Sequence, residues 1–149
     1  MAVITTDILV ENMKRQEVLD WLAIADNHDR ILQGAWDGAD RTGDRTWELT
    51  FSAFPKKRSM GYAFDRTDTE HAGRRVLCTT TGKRTSGKLN YSLRTPRASR
   101  NTMITLHLDY DPGSVLGAVL DGAGLRDGLE SGMKAMLQNL QAAIYADKS

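Results

Sequence analysis

GLRDGLESGMKAMLQNLQAAIYADK, residues 124–148, carries Leu125, Leu129, Met133, Met136, Leu137, Leu140 and Ile144 at spacings of four and three. That is the helical period, and it lays one apolar stripe along one long helix. About 23 residues at ~1.5 Å rise reach roughly 34 Å, close to the span of a ten-residue strand. Segments upstream alternate as such strands do, so the helix is expected to lie across a curved sheet and bury its stripe there. Burying seven such side chains contributes on the order of 10–20 kcal/mol gross, an upper bound. Gly128, Gly132 and Ala135 run along one flank of the helix. Small residues there permit either a close approach to the sheet or a cavity.

Moving back from this helix, Asp111-Pro112-Gly113 is a strong stop. Ser114 can cap a short helix through Leu120, with Gly122 and Gly124 dividing it from the long one. Before the stop, Ile104, Leu106, Leu108 and Tyr110 alternate with Met103, Thr105, His107 and Asp109. Leu89, Tyr91 and Leu93 alternate likewise until Pro96, after a turn at Thr85-Ser86-Gly87. Val76 to Thr81 is β-branched and follows a turn near Ala72-Gly73. Met60, Tyr62 and Phe64 mark another strand, and Trp47, Leu49, Phe51 and Ala53 share one face of the strand before it. Pro55-Lys56-Lys57-Arg58 is expected to break those two apart. Further upstream the period turns helical, with Val18, Leu19, Trp21 and Leu22 on one side of a helix over 15–25. Asp26-Asn27 is a good N-cap pair for a second short helix, roughly His28 to Gln33, closed by Gly34. Val3 to Val10 opens the chain as a strand. The predicted class is α+β: strand, two short helices, about six antiparallel strands and one long helix, with a sheet of about seven strands wrapped on the C-terminal helix.

The 149 residues point to a single domain over 1–149 with a proper core. A net charge of +1 offers no global field for nucleic acid or an anionic membrane, so no nucleic-acid partner is expected. Cys78 is the only cysteine, which excludes an internal disulfide and fits a reducing compartment. No apolar run approaches the ~20 residues of a membrane span, and the first ten residues lack the pattern of a secretory signal. A cytoplasmic location is the expectation, as monomer or homodimer.

Three stretches carry a resemblance. Gln16-Glu17-Val18-Leu19-Asp20-Trp21-Leu22-Ala23 follows the opening strand. Asp26-Asn27-His28-Asp29-Arg30-Ile31-Leu32 looks like a second short helix after the first. Tyr110-x-Pro112-Gly113-Ser114-x-Leu116-Gly117 leads into Leu137-x-Asn139-Leu140. Together they resemble the START / polyketide cyclase superfamily, with its helix-grip fold, over essentially the whole chain. The resemblance implies a cavity between sheet and long helix that takes a hydrophobic small molecule. Some members of that superfamily cyclise or dehydrate polyketides in the cavity, and others bind a partner protein.

Among residues that carry chemistry, none of His28, His71 and His107 has a metal-ligand neighbour at a suitable spacing, so no metal site is expected. His28 is expected to cap or pack near a pocket rim, His71 to sit in a turn, and His107 to point away from the core. Cys78 reads as a buried, inert thiol. No nucleophile elbow, phosphate loop or dinucleotide fingerprint occurs, and no cofactor is expected. Trp47, Phe51, Tyr62, Phe64, Tyr91 and Tyr110 fall on predicted inner faces. With Met133, Met136 and Leu137 of the helix stripe they form the candidate ligand-binding set, or they fill the core. Lys56-Lys57-Arg58, Lys83-Arg84 with Lys88, and Arg94, Arg97 and Arg100 lie near strand ends, as solvated ends or as a patch for an anionic ligand.

The leading expectation is therefore binding or carriage of a hydrophobic small molecule. An enzyme of the cyclase/dehydratase kind comes second, because the inner faces show no clear inward histidine or carboxylate for acid–base work. An inward histidine bonded to Tyr62 or Tyr91 would bring it forward. A protein-binding module without ligand comes third, and a filled interior would favour it.

Overall fold

The computed structural model describes residues 2–53, 56–70, 74–113 and 115–149, with backbone alone at residue 98 and residues 115–123. Strand β1 (Ala2–Val10) leads into helices α1 (Arg15–Leu22) and α2 (Ala25–Leu32). Six strands follow: β2 (Gly38–Arg41), β3 (Thr46–Ala53), β4 (Lys56–Asp68), β5 (Arg75–Thr81), β6 (Gly87–Arg94) and β7 (Thr102–Tyr110). Helix α3 (Val115–Lys148) closes the chain. The seven strands form one antiparallel sheet in the order β1-β7-β6-β5-β4-β3-β2. α3 packs on β1 at one edge, on β3 near the other, and on α2. One helix touches strands so far apart in the sheet only because the sheet curls around it. α1 packs on the middle strands β5 and β6.

Alternation does what the sequence predicts in β3, β6 and β7, where every second residue is buried. All seven residues of the α3 stripe are buried. No helix of the described residues is long and apolar enough to cross a membrane.

Several expectations are corrected. The short helix through Leu120 is not separate: α3 runs unbroken from Val115, while Ser114 lies outside the described residues. A helical glycine costs only ~1 kcal/mol, so Gly122 and Gly124 do not divide a helix held by its buried stripe. α2 starts at Ala25 behind Ile24, not behind Asp26-Asn27. Asn27 instead donates from Nδ2 to the Trp21 carbonyl at 2.8 Å, tying α2 to the end of α1. Asp26 sits in the first turn of α2, where the helix dipole favours a carboxylate, and pairs with Arg41. β3 and β4 are separate strands as expected, but the break is shorter: Lys56, Lys57 and Arg58 already belong to β4 and pair with Ala53, Ser52 and Phe51, while Pro55 lies outside the described residues. The turn expected near Ala72-Gly73, and His71 within it, lie outside the described residues.

α3 is fastened to the opening half of the chain by polar side chains. Asn139 donates to the carbonyls of Ile31 (3.0 Å) and Gln33 (2.9 Å), groups that a helix end leaves unsatisfied. Gln141 donates to the Leu9 carbonyl. Asp147 accepts from both Arg30 and the Trp21 indole, and these contacts hold its carboxyl down at about 2. Gly34, at φ +80°, supplies the left-handed residue that turns the chain after α2.

Candidate functional site

His28 lies at the centre of the inner aromatic group, fully buried. Its ring centroid is 4.7 Å from Phe64, 5.6 Å from Tyr91, 5.9 Å from Tyr62 and 6.4 Å from Trp47. This corrects the expectation of a histidine at a rim and of inner faces without one. Asn27 ties α2 to the end of α1 and the Leu22 carbonyl accepts from the His28 ring, which aims position 28 inward, where local spacing in so short a helix could not place it.

The hydrogen bonds of this group can be assigned direction by direction. His28 Nε2 lies 2.7 Å from the Leu22 carbonyl, which can only accept, so Nε2 carries the proton. Nδ1 of the neutral ring is then the acceptor, and the Tyr62 hydroxyl donates to it at 2.7 Å. Having used its proton, the Tyr62 oxygen accepts from Tyr91 at 2.8 Å and from the Cys78 thiol at 3.3 Å. The result is a polar chain, Cys78 and Tyr91 to Tyr62 to His28 to the α1 carbonyl, inside an aromatic cup. Burial drives the His28 pKa down to about 4, with the Leu22 bond opposing it. Burial likewise pushes Tyr62 and Tyr91 up and takes the Cys78 thiol to about 12. All four groups are therefore neutral near pH 7.

The remaining candidate residues divide by place. Trp47 donates from Nε1 to Asp29 of α2 at 2.9 Å and carries the guanidinium of Arg41 in β2 over its ring at 5.1 Å. Phe51 stands apart from the His28 group, edge-on to Trp36 at 5.3 Å. Tyr110 closes β7 beside Arg126 of α3, burial raising its pKa. Met133, Met136 and Leu137 are buried on α3. The inner aromatic residues are all packed, none more than 4% exposed.

Trp36 is the residue that sequence reading passed over. It follows α2 outside any periodic run, so no pattern marked it. Its ring lies over Gly132, where a Cβ would come within 2.3 Å of it. Its indole N–H is buried with no partner among the described residues. An open cleft of about 190 Å³ borders it, between Asp37, Phe51 and Ser52 on one side and Gly128, Ser131 and Gly132 on the other. Of the two readings of the α3 glycines, close packing holds: a Cβ at Gly128 would lie 2.7 Å from the Ser52 carbonyl oxygen. Two of the basic segments also converge, with Lys56, Lys57, Arg58 and Lys83 around one shallow depression. No group of three metal-ligating side chains occurs among the described residues.

The sequence itself matches no protein-family profile and no curated protein. Solved structures are similar. A point mutant of norcoclaurine synthase from Thalictrum flavum, in complex with a transition-state analogue, matches with TM-score 0.69 at 17% identity, over 99% of this chain and 96% of that one. The KanY protein matches with TM-score 0.69 at 16% identity, over 97% of each chain. Ara h 8.0201 matches with TM-score 0.60 at 12% identity, over 97% of this chain and 99% of that one. Identities this low establish the architecture, which agrees with the strand order and the gripped helix above. The chain has the helix-grip fold of these proteins.

Proposed function

We propose that this protein binds a hydrophobic, aromatic small molecule between the sheet and α3, with a hydroxyl or carbonyl of the ligand meeting the Tyr62–Tyr91 hydroxyls. The observation that carries this reading is the buried polar chain itself. Four polar side chains in an aromatic cup stabilise a fold no better than apolar residues of the same volume would. They do offer a ligand a place to hydrogen bond. Tyr91 is the member suited to exchange partners, since its hydroxyl has one bond in the chain, to Tyr62. Trp36 suits an entrance, because moving its ring from Gly132 breaks no hydrogen bond of its indole. The norcoclaurine synthase structure, with its transition-state analogue, is a precedent for a small molecule on this fold; it supports the reading by analogy only. The single cysteine suits a reducing compartment such as the cytoplasm.

Catalysis of the cyclase/dehydratase kind is the second reading, and His28 bonded to Tyr62 favours it. It stays second on chemical grounds. A general acid or base works best with a pKa near the operating pH, and burial moves His28 down and both tyrosines up, away from 7. The packed interior favours the third reading, a partner-binding module.

The test screens fatty acids, flavonoids and polyketide-like aromatics against the wild-type melting temperature. A ligand at a hundredfold excess over its dissociation constant adds ~2.7 kcal/mol. In the Trp21→Phe, Trp36→Phe protein, Trp47 fluorescence should change with the same compounds. Tyr62→Phe should weaken ligands that carry a hydroxyl more than those that do not. A panel that moves neither signal sinks the reading and leaves the aromatics as core.

A further inference from the structure

The outer face of the sheet holds a second site, built by an irregularity in β4. Met60, Tyr62 and Phe64 point inward, and plain alternation would aim Arg66 inward too. The ladder instead passes from Phe64 opposite Cys78 to Arg66 opposite Leu77, leaving Asp65 unpaired. This bulge turns Arg66 to the outer face, the way bulges re-aim side chains beside sites. Arg66, Leu77 and Asn90 then stand in one cross-strand row over β4, β5 and β6, with Thr79 and Lys88 in the next row.

These residues line a depression of about 400 Å³, within the range of small-molecule sites. Arg66, Arg75 and Lys88 set three cations against one carboxylate, Asp65, in its wall. Arg75 also leans on Asp68 at 3.4 Å. Arg66 and Lys88 enter no ion pair among the described residues. The floor is half-buried Leu77 and Thr79, apolar and hydroxylic together. Beside them the Asn90 side-chain oxygen is covered and without a donor. Turning that carboxamide toward a ligand therefore gives up no hydrogen bond at its oxygen.

We propose that this depression binds a small phosphomonoester, its phosphate held by Arg66 and Lys88 and its short carbon skeleton lying on Leu77 and Thr79. Guanidinium and ammonium groups form their strongest hydrogen bonds with such oxyanions, and the volume suits a solute rather than a chain. The site lies on the other side of the sheet from the Tyr62–Tyr91 chain, so either can fail without the other.

The experiment follows backbone amides by nuclear magnetic resonance while glycerol 3-phosphate, inorganic phosphate or a phosphoserine peptide is added. Saturable shifts at Arg66, Leu77, Thr79 and Asn90 are expected with glycerol 3-phosphate at millimolar or lower concentration, weakening as salt rises through roughly 0.05–0.5 M. Inorganic phosphate should shift the same amides but bind more weakly, lacking the skeleton. Arg66→Gln with Lys88→Gln should weaken binding by about tenfold or more, and Lys56→Gln with Lys57→Gln should not. The proposal is overturned by shifts that never saturate, by shifts centred on residues 56–58 and 83, or by affinity unchanged in the Arg66/Lys88 double variant. A phosphoserine peptide binding far more tightly than the monoester would overturn it too, by making the site a docking point for a macromolecule. Trp47 amide and indole signals should stay still throughout.

Discussion

Burial without a countercharge keeps the His28 imidazole neutral, its pKa lowered from 6.5 to about 4. The unfolded chain, with its histidine near 6.5, binds more protons than the folded chain between those two values. Unfolding therefore takes up protons there, and acid favours it. The stability this residue contributes is fully present above about pH 6.5 and lost as pH falls toward about 4. The loss sums to about 3 kcal/mol. Denaturant titrations from pH 7 to 4 should show that decline, and His28→Gln should flatten it while His107→Gln leaves it in place. A wild-type protein equally stable at pH 7 and 4.5 would mean that the imidazole is not sealed. The Cys78 thiol obeys the same physics with the opposite sign: raised to about 12, it stays protonated, and an unactivated thiol is a poor nucleophile.

At the scale of elements, α3 is held as much by closeness as by area. The Gly128 backbone lies so near β3 that an added Cβ would meet a carbonyl oxygen, which has no freedom to swing aside. In an open helix, Gly→Ala gains up to ~1 kcal/mol. Gly128→Ala should reverse that sign and cost about 1–3 kcal/mol through overpacking. The midpoint of urea unfolding measures it, and a stabilised variant would show that α3 does not approach β3 this closely. Gly132 meets a side chain, not backbone, so Gly132→Ala depends on whether Trp36 can move. Trp36→Leu should therefore restore much of what Gly132→Ala loses, a coupling that a double-mutant cycle reads.

For the molecule as a whole, the curled sheet and α3 share one core, and Met133 is buried in it. Met133→Asp places a carboxylate there with no planned partner and should cost at least about 3 kcal/mol. Met133→Leu, nearly equal in volume, should cost less than about 1.5 kcal/mol. Equal melting temperatures for Met133→Asp and wild type would mean that the helix is not gripped. The loss should reach both ends of the chain, because α3 also carries the Asn139, Gln141 and Asp147 ties to α2, β1 and Arg30.

Periodicity by itself determined the α3 stripe and the alternating faces of β3, β6 and β7. Each of these depends on which neighbours along the chain are apolar, and that order is written in the sequence. The same patterns placed Tyr62, Phe64 and Tyr91 inside. Only the tertiary structure decided the rest. His28 turns inward because Asn27 locks α2 to α1 and the Leu22 carbonyl accepts from its ring, contacts no local spacing encodes. Trp36 seats over Gly132 across 96 positions of chain. Arg66 changes face because one residue bulges out of a ladder, and a shift of a single residue reverses everything that alternation would say beyond it. Local period is a property of neighbours in sequence; a polar chain, a plug and a bulge are properties of neighbours in space.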